Sequence, residues 1–126
     1  MDEIVLTLPR EPEWHGVAHL VLSGLAARLD LTVEALDDWQ LALCELFARQ
    51  PDGEAIRIVF QAAPDTLETH FGPVDRQFLA ELEREDDGVG LRRVLSTLTD
   101  SVRVESKDGD NWVVLSKAIV HSDSAH

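Results

Sequence analysis

Apolar residues recur along the chain at two periods, and the switches between them outline its elements. Ile4, Leu6 and Leu8 alternate with Val5 and Thr7 and predict a short first strand, which Pro9 and Pro12 interrupt. Trp14, Val17, Ala18, Val21, Leu22, Leu25, Ala26 and Leu29 then fall at helical spacing. Pro12 suits the entry of that helix, where its missing N–H costs nothing. The continuous apolar stripe predicts a helix packed along one side. A second helix opens at Thr32, a good N-cap, with Leu31 and Leu36 at staple positions. It runs to about Arg49 with Leu36, Leu43, Leu46 and Phe47 among its buried positions, and Pro51-Asp52-Gly53 ends it.

Strand periodicity returns at Ala55 to Ala62 and again at Thr66 to Phe71, where Gly72-Pro73 is expected to break it. Phe78, Leu79 and Leu82 predict a short helix. Gly88-Val89-Gly90 leads into another with Leu91, Val94, Leu95 and Leu98 on one face. Ser101 to Lys107 and Trp112 to Ile119 read as strands joined through Asp108-Gly109-Asp110-Asn111, a hairpin signal. Strands grouped in hairpins with helices between them predict an α+β, two-layer α/β sandwich over a doubly wound sheet. Residues 1–119 form a single domain on this reading, and 120–126 a flexible C-terminal tail.

Charge narrows the partners. The 126 residues hold 24 acidic against 11 basic side chains, a net charge of −13 that would repel nucleic acid, so no direct nucleic-acid partner is expected. A basic protein surface or a cationic ligand fits better. The longest apolar runs fall well short of a membrane span, and Met1-Asp2-Glu3 is acidic where a signal peptide is basic. A cytoplasmic protein without membrane partners is the expectation. The single cysteine, Cys44, excludes an internal disulfide and a Cys-rich zinc site.

Candidate chemistry is sparse. Gly88 and Gly90 precede a helix, as in phosphate-binding turns, but Asp86 and Asp87 place two negative charges beside them. Glu45 could serve as a general base in its apolar helix, yet Arg49 follows at the spacing of an i,i+4 ion pair, which spacing alone favours. His15 and His19 share a helix face opposite the Trp14/Val17/Val21 stripe. Their spacing suits a metal pair, but no third ligand is evident beyond Glu11, so exposed histidines or a partner-facing surface is the favoured reading and no metal is expected. Cys44 lies among apolar helical neighbours with no nucleophile motif, which predicts a buried and inert thiol.

Taken together, these segments resemble the bacterial anti-sigma-factor serine kinases, members of the histidine-kinase-like ATPase superfamily, over about residues 3–119. Leu8-Pro9-Arg10-Glu11-Pro12-Glu13-Trp14 followed by Val17 to Leu29 is similar to the family's first strand, Pro-rich corner and first helix. Leu41 to Arg49 resembles its second-helix motif, in which the Glu is general base and an Asn four residues on holds Mg²⁺. Gly88 to Leu95, then Asp100-Ser101-Val102, resembles the second glycine box and the following strand. The resemblance implies a mixed, mainly antiparallel sheet with helices on one face.

The departures fall on the chemistry. Glu45 matches the base, but Arg49 stands at the Mg²⁺ position. His70-Phe71-Gly72-Pro73-Val74 stands where Asp-x-Gly-x-Gly binds adenine, so His70 replaces the adenine acceptor and Gly72 alone survives. The segment that covers the nucleotide, residues 75–87, holds six of the acidic residues. The resemblance therefore implies a vestigial nucleotide site at Gly72, Gly88 and Gly90, with Arg49 and His70 at degenerate positions. It also implies a homodimer whose alternative partners are a sigma factor and an anti-anti-sigma protein. Arg10, His15, His19 and Arg28 are the expected partner-binding residues, and no cofactor is expected. The alternative is an active ATP-dependent serine/threonine kinase of an anti-anti-sigma protein, with ATP and Mg²⁺ as cofactors and Glu45 as catalytic base.

Overall fold

The computed structural model describes residues 2–49, 55–84 and 90–119. In chain order the elements are strand β1 (Asp2–Pro9), a 3-10 turn (Pro12–Trp14), helices α1 (His15–Leu29) and α2 (Val33–Ala48), and strands β2 (Ala55–Ala62) and β3 (Thr66–Val74). Helices α3 (Arg76–Glu83) and α4 (Leu91–Leu98) and strands β4 (Ser101–Lys107) and β5 (Asp110–Ala118) follow. The tail expected at 120–126 lies outside the described residues.

Local chemistry explains most of the boundaries. The hydroxyl of Thr32 accepts from the Ala35 N–H at 3.1 Å, so α2 starts with its first turn capped. At the other end of the α1–α2 link, Asp30 takes a left-handed conformation (φ 56°), and the Leu31 N–H returns to the Ala26 carbonyl at 3.0 Å. That i→i−5 bond closes α1 in a Schellman motif. Asp75, one of the acids of the 75–87 segment, caps α3 by accepting from the Phe78 N–H at 2.9 Å. The β4–β5 hairpin turns on Asp108 and Gly109 alone, both at positive φ (53° and 84°), with Lys107 opposite Asp110. A two-residue turn of that hand matches the twist of the strands it joins.

The strands form one sheet in the order β1-β2-β3-β5-β4, and every adjacent pair is antiparallel. The sheet that the resemblance implies as mixed and mainly antiparallel is antiparallel throughout its described strands: β5 inserts between β3 and β4, which run parallel to each other, and opposes both. Gly72-Pro73 does not end β3. The strand continues to Val74 through a register shift between Phe71 and Val74. A bulge accommodates the proline, which has no N–H to give to the ladder.

Alternation along the strands divides the sheet into two faces. Ile58, Phe60, Leu67 and Phe71 point to one side and are buried with Leu22 and Leu46 from the helices. All four helices cover that face, giving the α+β two-layer sandwich of the histidine-kinase-like ATPase type. On α1 the buried stripe runs through Ala18, Leu22, Leu25 and Ala26, whereas Trp14 is 40% exposed and stands outside it. Lys117 of β5 reaches Asp38 of α2 at 3.4 Å and ties the two layers at their margin.

Candidate functional site

The second-helix motif places Glu45 and Arg49 one turn apart at the C-terminal end of α2. Arg49 Nη1 donates to Glu45 Oε1 at 2.7 Å, the pair that their spacing predicts, and its Nε stands 3.5 Å from Glu81 Oε2 on α3. One guanidinium therefore bridges the carboxylate of the base position and the segment expected to cover a nucleotide. All its nitrogens are donors and its charge is fixed, so it cannot ligate a cation. The Glu45 oxygen that accepts from this donor is turned to Arg49 and not to a substrate hydroxyl. This donor set does not fit a magnesium-bound triphosphate at the Glu45 end.

His70 lies on the other side of the sheet. In β3, Leu67 and Phe71 face the helices, while Glu68 and His70 share the outer face. The His70 ring is almost completely buried there, with Nε2 2.8 Å from Glu68 Oε1 and Nδ1 2.9 Å from Lys107 Nζ. An ammonium can only donate, so Nδ1 is the acceptor and Nε2–H donates to Glu68. Arg103 joins the group at 3.3 Å from Glu68, and its Nε donates to Glu105 at 2.8 Å. That hydrogen bond is the largest influence lowering the Glu105 carboxyl. Position 70 and Glu45 are thus on opposite sides of the sheet layer, and one bound molecule cannot touch both. The period-2 alternation carried this signal, since Glu68 and His70 must face away from Leu67 and Phe71.

Two of the glycine positions have defined local surroundings. A Cβ on Gly72 would stand 2.8 Å and 2.9 Å from Trp112 Cδ2 and Cε3 and 3.1 Å from the Asn111 carbonyl. Close packing against the indole is therefore what this glycine permits. Gly90 is the N-cap of α4 in an extended conformation (φ −68°, ψ 155°) open to any residue, and it is buried. Gly88 lies outside the described residues, as do Asp86 and Asp87.

The four expected partner-binding residues do not form one surface. Arg10 is turned inward to the strand ends, with Nε donating to the Ala55 carbonyl at 3.0 Å and Nη2 to the Pro73 carbonyl at 2.7 Å. Arg28 is exposed in the last turn of α1. His15 and His19 are half-buried on the side of α1 that meets α2, not opposite the packing stripe as the sequence suggested. The reason is the angular width of the stripe. His15, Ala18, His19 and Leu22 are themselves spaced as one helix face, and Phe47 of α2 supplies a flat surface that imidazole covers well. The His15 ring stacks on Phe47 at a centroid separation of 4.0 Å, and Phe47 meets Phe71 edge-on at 5.4 Å. Among the described residues no group of three or more His, Cys, Asp or Glu is placed to hold a metal.

Burial lowers the His15 imidazole below its ordinary value of 6.5, with the nearby charge of His19 adding to the effect. The unfolded chain then binds more protons than the folded one as pH drops below about 6.5, so stability falls on acidification and is level above that value. The urea midpoint is expected to drop between about pH 7.5 and pH 5.5, and to drop less in His15→Phe, which keeps the stack and loses the proton site. Equal drops in both proteins would contradict this role for His15.

No family model matches the chain. It is similar to the serine-protein kinase RsbW of Listeria monocytogenes, at 31% identity over 94% of this chain and 88% of that protein. The serine-protein kinase RsbW of Listeria innocua is 28% identical over the same shares. That of Bacillus subtilis is 27% identical over 86% of this chain and 81% of its own length.

Proposed function

The chain belongs to the anti-sigma-factor serine kinase family of RsbW, and from that premise we propose that it is a regulator acting by protein–protein binding, with ATP binding and phosphoryl transfer lost. The observation that carries this reading is the Arg49 guanidinium. It stands where the resemblance places the metal ligand, pairs at 2.7 Å with Glu45, the residue matched to the family's base, and reaches Glu81 of α3 at 3.5 Å. Phosphoryl transfer is almost entirely positioning and charge neutralisation by metal and cationic groups. A chain with no metal ligand there and an engaged base has kept the scaffold without those parts.

The partners in this reading are a sigma factor, an anti-anti-sigma protein, or both, with the chain acting as a homodimer in the cytoplasm. Its charge of −13 suits a basic protein surface and disfavours direct contact with nucleic acid. Among the described residues no helix is long and apolar enough to cross a membrane.

An active serine/threonine kinase is the second reading. It is favoured by the retention of Glu45 and by the serine-protein kinase names of the relatives. Calorimetry with ATP and Mg²⁺ separates the two. No saturable heat is expected up to about millimolar nucleotide, whereas a Kd in the micromolar range, on the order of −8 kcal/mol, would overturn the loss of nucleotide binding.

A further inference from the structure

We propose that the outer face of the α1–α2 helix pair is a docking surface for a basic amphipathic helix of a partner protein, an inference that rests on the reading that the chain acts by protein binding. Leu20 of α1 is 74% exposed, and Val33 and Leu41 of α2 are 72% and 54% exposed. Gly16, Leu20 and Gly24 follow one row along α1, and Val33, Asp37 and Leu41 one row along α2, all exposed and at four-residue spacing. His15 packs on Phe47 and Ser23 meets Gln40, so the helices run antiparallel and their outer rows flank a common seam. Gln40 closes that seam by donating to the His19 carbonyl at 3.2 Å and to Ser23 Oγ at 3.0 Å. Cys44, contrary to the buried thiol expected from its apolar neighbours, is exposed at the seam's edge with Sγ 3.7 Å from His19 Nε2. The seam residues hold one another, and the apolar side chains beside them are left to water.

The glycines are a second, independent observation. Glycine is the poorest helix former after proline, and Gly24 stands well inside α1. Neither it nor Gly16 has a positive φ, and a Cβ on either would meet nothing within 4 Å. Packing within the chain therefore gives no reason for them. A glycine on each side of Leu20 does lower the surface and lets another backbone come close. That is what a helix laid along the seam requires, its apolar row resting on Leu20, Val33 and Leu41.

Charge selects the occupant. From Glu11 to Ala48 the sequence holds seven carboxylates and a single Lys or Arg side chain, Arg28. Glu34 and Asp37 lie beside Val33 and Leu41, and Glu13 precedes α1. All three are exposed, and none is in an ion pair among the described residues. Lysines or arginines flanking the apolar row of a docked helix would meet them. A second copy would instead bring the same carboxylates against each other, and an anionic lipid surface would be repelled.

The test uses the full chain and a synthetic peptide of leucine, lysine and alanine, about 18 residues long to match the α2 row, with its leucines at helical spacing. The peptide carries a photo-crosslinker, and binding is followed by calorimetry at physiological salt. Saturable binding with crosslinks to α1 and α2 is expected. Leu20→Ser and Gly24→Gln should each weaken it about ten-fold, the loss expected when one anchor or the close approach is removed. Both variants should keep or raise Tm, because Leu20 is exposed and glutamine is the better helix former. No saturable binding would overturn the proposal, and so would undiminished binding in both variants, which would place the peptide elsewhere. A peptide with glutamate for lysine should not bind, and equal binding would overturn the charge argument. A dimer that Leu20→Ser dissociates would assign the face to a second copy. Flotation on phosphatidylcholine–phosphatidylglycerol vesicles that Leu20→Ser abolishes would assign it to a membrane. Either result overturns the proposal. ATP calorimetry on the same protein keeps the two readings apart: docking together with ATP binding sinks only the loss of nucleotide binding, and neither docking nor ATP binding sinks only this surface.

Discussion

Truncation of Phe47 to alanine is expected to cost about 3–5 kcal/mol, the range for a large aromatic removed from a packed core. Phe47 is 6% exposed in the helix that carries Glu45 and Arg49, and its ring joins three elements at once. It is the surface on which His15 of α1 stacks, and it meets the edge of Phe71 on β3. Aromatic contacts of this kind add about 0.5–1.5 kcal/mol beyond the area they bury. Against a total stability of about 5–15 kcal/mol for a domain, the loss is a large share. Equilibrium urea unfolding of wild type and Phe47→Ala measures it, and a change below about 1 kcal/mol would mean that the ring is not the joint between the layers.

Gly72→Ala is the second large effect, and it separates two reasons for a glycine. If position 72 is glycine only because a nucleotide once needed the space, alanine should be nearly neutral in its absence. The geometry predicts otherwise. The new methyl would meet the Trp112 ring at 2.8 Å and 2.9 Å, and the Asn111 carbonyl at 3.1 Å limits escape on the other side. Trp112 is itself buried, with Lys107 Nζ 5.7 Å from its ring centroid, so moving it disturbs the His70 cluster as well. Overpacking of this sort costs about 1–3 kcal/mol. Thermal unfolding in the absence of any nucleotide should show a lowered Tm. The cost should shrink in a Trp112→Leu background, since residues in contact do not contribute additively. An unchanged Tm for Gly72→Ala would return the glycine to the nucleotide explanation.

The elements were legible where the signal is local. Thr32 caps α2, Asp108-Gly109 turns the β4–β5 hairpin, and the alternation from Ala55 to Ala62 is β2, because caps, turns and strand faces depend on residues close in sequence. The Glu45–Arg49 pair was legible for the same reason, being a matter of i,i+4 spacing within one helix. What sequence reading missed depends on the partner across a gap. His15 and His19 look like a polar face until Phe47, Gln40 and Cys44 are known to lie against them. Leu20, apolar and in the middle of α1, is 74% exposed, so hydrophobicity alone could not orient that helix. His70 was placed at a motif position from the local residue pattern, while its strand parity points away from α2, and parity decides what a side chain can touch. The bridge from Arg49 to Glu81 joins positions 32 residues apart, and no spacing rule reaches that far.

Among the described residues, strand β4 is one margin of the sheet, where main-chain groups have no neighbouring strand. Along it Arg103, Glu105 and Lys107 alternate in sign on the outer face, with Glu105 2.8 Å from Arg103 Nε and 4.0 Å from Lys107 Nζ. Another chain seeking to extend the sheet at this margin would have to strip water from that charged row and break its pairs. Charged side chains on an outer strand are a standard guard against edge-to-edge aggregation. The cluster that holds His70 in place therefore also makes this margin a poor template for amyloid-like growth.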